Sequence, residues 1–165
     1  MSLPTPHDDS RPTRAAAALA LISVTAAVWF SLQTHRLADL RHLVEWTGAW
    51  WHGTHVYGSG SVVDYPPWAI VALSPLSLVP NATLPLAWVI VNLGLLAWVA
   101  RRLSGGRAVL FLLLVAAGAM RTLNQFSLLS LALGLAGIGS RGPLGPVWIG
   151  LALVKPQIGG VFWLL

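Results

Sequence analysis

From Tyr65 to Ala100 the chain runs for 36 consecutive residues without an aspartate, glutamate, lysine or arginine. Charged side chains make up about 25% of an ordinary soluble domain, so a run of this length cannot wrap a surface that faces water. The remainder of the sequence repeats the pattern, with residues 15–34, 108–120, 122–140, 142–154 and 156–165 also uncharged. Only 9% of the 165 residues carry charge while 56% are hydrophobic, and the mean hydropathy is +0.71. This composition excludes a soluble globular domain and a disordered chain, and points to an integral membrane protein built of helices. The chain has no cysteine, which removes disulfides, thiolate metal sites and a cysteine nucleophile. Ten basic residues against five acidic give +5. They fall singly or in short loops between apolar runs, where positive charge reports membrane orientation rather than nucleic-acid binding.

A helix needs about 20 residues to cross the hydrocarbon core of a bilayer. Residues 15–34, 82–100, 104–123, 122–140 and 146–165 read as crossings. The third requires Arg107 and Arg121 to snorkel to the interfaces, and the last carries Lys155 within it. Arg11 and Arg14 precede the first crossing and no small-residue cleavage site follows it. It therefore reads as a signal anchor, with residues 1–14 a cytoplasmic tail. The loop from Arg101 to Arg107 holds three arginines and no acid, and belongs on the cytoplasmic side too. Residues 35–65 are then outside, and the run between them and Arg101 must cross an odd number of times. On this reading residues 66–80, broken by Pro75, form a re-entrant or short helix, and residues 82–100 cross. The competing reading, two full spans, strands three arginines outside. The expected fold is all-α, a polytopic transmembrane helical bundle in the plasma membrane with an external amphipathic helix.

That external helix covers residues 37–52. Its periodicity sets Leu40, Leu43, Val44, Thr47 and Trp51 on one face and Arg41, His42, Glu45 and His52 on another, with Trp46, Trp50 and Trp51 at headgroup level. Asp39, at the start of the helix, could cap it or serve as a base at the membrane boundary. His52 and His55, with His42 or Glu45, have ligand-like spacing, but Gly53 argues against a rigid pair, and neither a metal nor a cofactor is expected. Tyr65-Pro66-Pro67-Trp68 reads as a helix start, with Asp64 able to cap it. Arg121, Asn124 and Gln125 close an apolar hairpin. Lys155 is an ionisable group at membrane depth, which usually faces a cavity or a partner. Asp39, Tyr65, Gln125 and Lys155 come from four distant segments, yet all fall toward the outer leaflet. Convergent polar groups there suggest one external, membrane-level site whose substrate is lipid-linked.

These residues resemble a known family, the GT-C integral-membrane glycosyltransferases of family 87, which are polyprenyl-phosphate-mannose-dependent alpha-mannosyltransferases. Asp39 is followed by Gly53 fourteen residues on and Tyr57 eighteen residues on, then by Tyr65-Pro66-Pro67 and Pro75-Leu76. A polar turn before a leucine-rich span is present as Asn124-Gln125-Phe126-Ser127-Leu128-Leu129, with Asn124 where the family has glycine, and a Lys-Pro element as Lys155-Pro156. The resemblance extends over residues 15–165. It implies transfer of a hexose from a polyprenyl-phosphate-sugar donor to a glycolipid or glycan acceptor, with inversion. Asp39 would be the catalytic base, Arg121 or Lys155 would stabilise the leaving phosphate, and Tyr65 and Gln125 would orient substrate. Family members continue through further spans, so the resemblance also implies an incomplete module. The rival reading is a non-enzymatic transporter segment or scaffold with Lys155 on a permeation path, or an inactive fragment. No internal repeat of the kind transporters use is visible.

Overall fold

The computed structural model describes residues 10–33, 38–57, 65–122 and 126–164, and every element among them is helical. The helices are α1 (Ser10–Leu32), α2 (Ala38–Trp51), α3 (Pro67–Leu73), α4 (Leu84–Ser104), α5 (Ala108–Thr122), α6 (Ser127–Gly139), α7 (Leu144–Ala152) and α8 (Pro156–Gly159). Short 3-10 segments, Ser74–Leu78 and Gly160–Trp163, extend α3 and α8. Prolines punctuate the starts: α3 and α4 each have one in the first turn, where a missing N–H leaves no bond unmade. Helix α1 begins at Ser10, inside the stretch expected as a cytoplasmic tail, and residues 1–9 lie outside the described residues.

Among the described residues two helices are long and apolar enough to cross a membrane, over Thr13–Leu32 and Leu84–Ser104. Their outward faces are apolar: Leu21, Ile22 and Trp29 on α1 and Ile90, Val91 and Trp98 on α4 are all exposed. The expected crossings at 104–123 and 122–140 form shorter helices, with α5 at 15 residues and α6 at 13. Together, α3 and its 3-10 extension reach from Pro67 to Leu78, about 18 Å at helical rise.

The expected crossing at 146–165 is not a single helix. Helix α7 stops at Ala152 and α8 starts at Pro156, with Lys155 extended between them at φ −123° and ψ 94°. Proline disfavours the helical conformation in the residue before it and cannot supply an N–H to the preceding turn. The break releases carbonyls that an apolar interior must satisfy. Ser130 on α6 donates its hydroxyl to the Ala152 carbonyl and, at 3.4 Å, to that of Lys155.

Helix α1 packs along α5, α5 against α4, α4 against α6, and α6 against α7, while α2 rests on α3 and Ser74–Leu78. A buried cluster of Ala27, Leu96, Ala119 and Leu128 aligns the ends of α1 and α5 with the start of α6. At the other end of the molecule, Arg102 in the last turn of α4 lies against Gly139 at the end of α6, leaving no room for a Cβ there. The end of α4 with Arg101 and Arg102, the turn after it with Arg107 and the turn after α6 with Arg141 therefore share one end of the bundle. Helices α6 and α7 touch through backbone, since a Cβ on Gly137 would approach the Gly145 carbonyl to 3.0 Å and the Ile149 side chain to 2.5 Å. Small residues permit such contact where no hydrophobic force drives helices together.

Replacing Gly137 with leucine should therefore separate α6 from α7 and destabilise the chain by about 1–3 kcal/mol, as overpacking does. Gly94 has open space around it, and Gly94→Leu should leave thermal unfolding in detergent nearly unchanged. The comparison of the two melting curves checks the α6–α7 contact directly.

Candidate functional site

The site region is built on a buried cluster that draws on most of the chain. Leu40 and Leu43 come from α2, Tyr65, Ala69 and Ile70 from the entry to α3 and α3 itself, and Leu84 and Trp88 from α4. Phe126, just before α6, and Val154, just before α8, complete it. Phe126 is fully buried at the centre. Its ring is 4.4 Å from Trp88 and 5.5 Å from Tyr65, which meets it edge-on at 75°. Tyr65 is 5.9 Å from Trp46, and Trp46 stacks on His42 at 5.7 Å. A continuous aromatic path thus leads from the exposed side of α2 to the interior of α4.

Of the candidate site residues, Tyr65 belongs to this cluster and Lys155 follows its member Val154 in the chain. Asp39 occupies the first turn of α2 beside Leu40, and Arg121 the last turn of α5; both are described by backbone alone. Gln125 and Asn124 lie outside the described residues, immediately before Phe126, and so does Asp64, immediately before Tyr65. Tyr65 is itself a buried member of the cluster. Lys155 follows Val154, is half-buried, and its carbonyl accepts hydrogen bonds from the N–H groups of Ile158 at 3.0 Å and Gly159 at 2.9 Å.

The other motif positions have local structural reasons. Gly53 ends α2 with φ +68°, in the left-handed region. Its N–H donates to Trp50 O at 3.0 Å and the Thr54 N–H to Ala49 O at 2.9 Å, the paired bonds of a Schellman cap that favours glycine. Four residues on, the Tyr57 hydroxyl donates to the Tyr65 carbonyl at 2.7 Å and ties the two sides of the intervening loop together. Burial pushes the Tyr57 phenol above its ordinary pKa.

Helix α2 keeps its expected inner face, with Leu40, Leu43 and Thr47 buried, but Trp51 is exposed and only its indole N–H reaches inward, to Ser74 O at 3.4 Å. On the outer side Glu45 accepts from Arg41 Nε at 3.1 Å and lies 3.5 Å from His42 Nδ1. His52 and His55 are exposed, and among the described residues no three histidine, aspartate or glutamate side chains gather where a metal could be held.

Trp88, Asn92 and Ser130 were not singled out from the sequence. Asn92 is fully buried one turn after Trp88 and donates to its carbonyl at 3.0 Å. Trp88 Nε1 and Asn92 Oδ1 have no hydrogen-bond partner among the described residues. Buried polar atoms in this condition are few in native proteins. The signal was available: Asn92 is the sole amide side chain between Leu84 and Ser104. No family model, curated protein or solved structure matches this chain.

Tyr57→Phe should remove the bond to Tyr65 and cost about 0.5–1.5 kcal/mol, the net value of one hydrogen bond. Because the folded-state pKa of this phenol is raised, its contribution is complete below the ordinary tyrosine value. It is lost as pH rises through the folded value, since the unfolded phenol ionises first. Stability measured from pH 8 upward should therefore fall less steeply above pH ~10 in Tyr57→Phe than in the parent chain.

Proposed function

We propose that the chain is a membrane-embedded glycosyltransferase module that moves a hexose, mannose by resemblance, from a polyprenyl-phosphate donor to an acceptor hydroxyl at the outer face of the plasma membrane. One observation carries the reading. Leu40, Tyr65, Phe126 and Val154 belong to a single buried cluster, and they are the immediate neighbours of Asp39, Gln125 and Lys155, together with Tyr65 itself. Tyr65 within the cluster, and three polar residues next in sequence to its members, support a common site.

In the reaction so assigned, Asp39 takes the proton of the acceptor hydroxyl as its oxygen bonds to the anomeric carbon. The bond from that carbon to the phosphate oxygen breaks, and the electron pair leaves with the polyprenyl phosphate. Lys155 or Arg121 offsets the charge on the leaving phosphate, while Tyr65 and Gln125 orient donor or acceptor. A single in-line displacement inverts the anomeric centre. A polytopic arrangement with the N-terminus inside follows from the arginines: Arg14 at the start of α1 and the arginine-bearing turns after α4 and α6 belong to the cytoplasmic side.

Two measurements test the proposal. Membranes carrying the chain are supplied with a radiolabelled polyprenyl-phosphate hexose, and photoactivatable donor is used in parallel to record binding. Asp39→Asn should retain donor labelling and lose about 10²–10⁴-fold in transfer, the usual effect of removing a positioned base. Unchanged transfer would return Asp39 to a helix-capping role, and absence of donor labelling in the parent chain would end the transferase reading. Separately, single cysteines at Ser61, Leu103 and Ser140 should react with an impermeant thiol reagent from outside only at position 61. Outside labelling at 103 would reverse the orientation of α4.

A further inference from the structure

A groove of about 390 Å³ lies between α2 and the start of α4, on the outer side of Leu40 and Leu84, which it shares with the buried cluster. Its volume falls within the ~300–1,000 Å³ typical of ligand sites. Leu40 and Val44 form one wall, and Leu84 and Pro85 the other. Arg41, Glu45 and Asn81 are its polar lining. The occupant is therefore an amphiphile, with a hydrocarbon portion along the apolar walls and a polar head met by three side chains.

The charges decide which head. Arg41 and Glu45 are in contact at 3.1 Å and cancel each other. A purely anionic head would meet the Glu45 carboxylate beside the arginine, whereas a zwitterionic head places its phosphate on one and its cation on the other. Arg41 uses only Nε in the contact with Glu45, so the four N–H groups of its terminal nitrogens remain to hold a phosphate. Glu45 faces Arg41 through one oxygen and His42 through the other, which leaves lone pairs on both oxygens of the carboxylate. An ammonium can donate to those lone pairs; a quaternary choline cannot.

We infer that this groove holds an ethanolamine phospholipid, its phosphate on Arg41, its ammonium on Glu45 and an acyl chain between Val44 and Pro85. The site differs from the donor site proposed above, because a polyprenyl phosphate has no cation to offer Glu45. The inference rests on the membrane reading of the chain.

The experiment uses the full chain in detergent with an equimolar mixture of ethanolamine, choline and glycerol phospholipids of identical acyl composition, and weighs the retained adducts by native mass spectrometry. The ethanolamine lipid should exceed the other two by about threefold or more, the discrimination a half-exposed ionic contact supplies. Glu45→Lys, on the exposed side of α2, should keep the fold and shift the preference to the anionic glycerol lipid, and Val44→Trp should fill the groove and reduce retention of all three. Equal retention of the three lipids by the parent chain, or an unchanged order in Glu45→Lys, overturns the inference. Carbonate extraction of the same preparation separates the two readings. A chain released from membranes by carbonate refutes the membrane reading and the groove's occupant together. A chain that stays in the membrane without headgroup preference refutes the occupant alone.

Discussion

Phe126 is the contact on which the arrangement of this chain depends. It is fully buried, and the rings of Trp88 and Tyr65 rest against it from α4 and from the entry to α3. It links the two rings within one buried cluster. Aromatic pairs contribute about 0.5–1.5 kcal/mol each beyond their buried area, and Phe126 makes two. In a bilayer the hydrophobic effect does little to hold helices together, so shape and ring contacts carry more of the packing. Helix α2 is attached through the same network, because Trp46 continues it from Tyr65.

The opposite end of the bundle is organised by charge and by the absence of side chains. Arg101 and Arg102 fall in the last turn of α4, where cations oppose the negative end of the helix dipole. Arg102 also covers Gly139 at the end of α6. One end of the molecule is thus aromatic and the other basic, and the two are joined by α4, which has Trp88 near its start and Arg102 near its finish. This polarity within one helix is what gives the bundle a direction.

Much of this was legible in the sequence. Charge-free runs located the apolar helices, Tyr65-Pro66-Pro67-Trp68 marked a helix start, and the period of residues 37–52 set Leu40, Leu43 and Thr47 on the face of α2 that is buried. The failures have physical causes. Trp51 shares that period yet is exposed, because the helix ends there and its indole needs only to bring Nε1 to Ser74 O. The expected crossing through Lys155 is broken because hydropathy averages over a window and does not register one proline's effect on its neighbour. Phe126 could not be ranked above any other phenylalanine from sequence, since its importance arises from three segments that meet only after folding. The motif spacing from Asp39 to Gly53 and Tyr57 is partly accounted for by local structure: Gly53 closes the helix and Tyr57 closes the loop that follows. These two roles require no substrate.

The break at Lys155 and the hydroxyl of Ser130 belong to one device. A helix that unwinds inside an apolar region exposes carbonyls at a cost of several kcal/mol per unsatisfied group. The cost is tolerable only where a neighbouring element donates. Ser130 does so from α6, facing Ala152 and Lys155 at once. Because the hydroxyl satisfies the backbone, the lysine can be held in an extended conformation that a continuous helix would forbid. The sequence pair Lys155-Pro156 is therefore meaningful only with a donor one helix away, and Gly134 one turn further along α6 admits the Phe162 ring that closes the segment beyond the break. A polar residue in an apolar span, a proline in its neighbour and a glycine between two leucines are individually ordinary. Their combination sets where the chain turns aside after Val154, which packs in the aromatic cluster, and so where Lys155 leaves the helix.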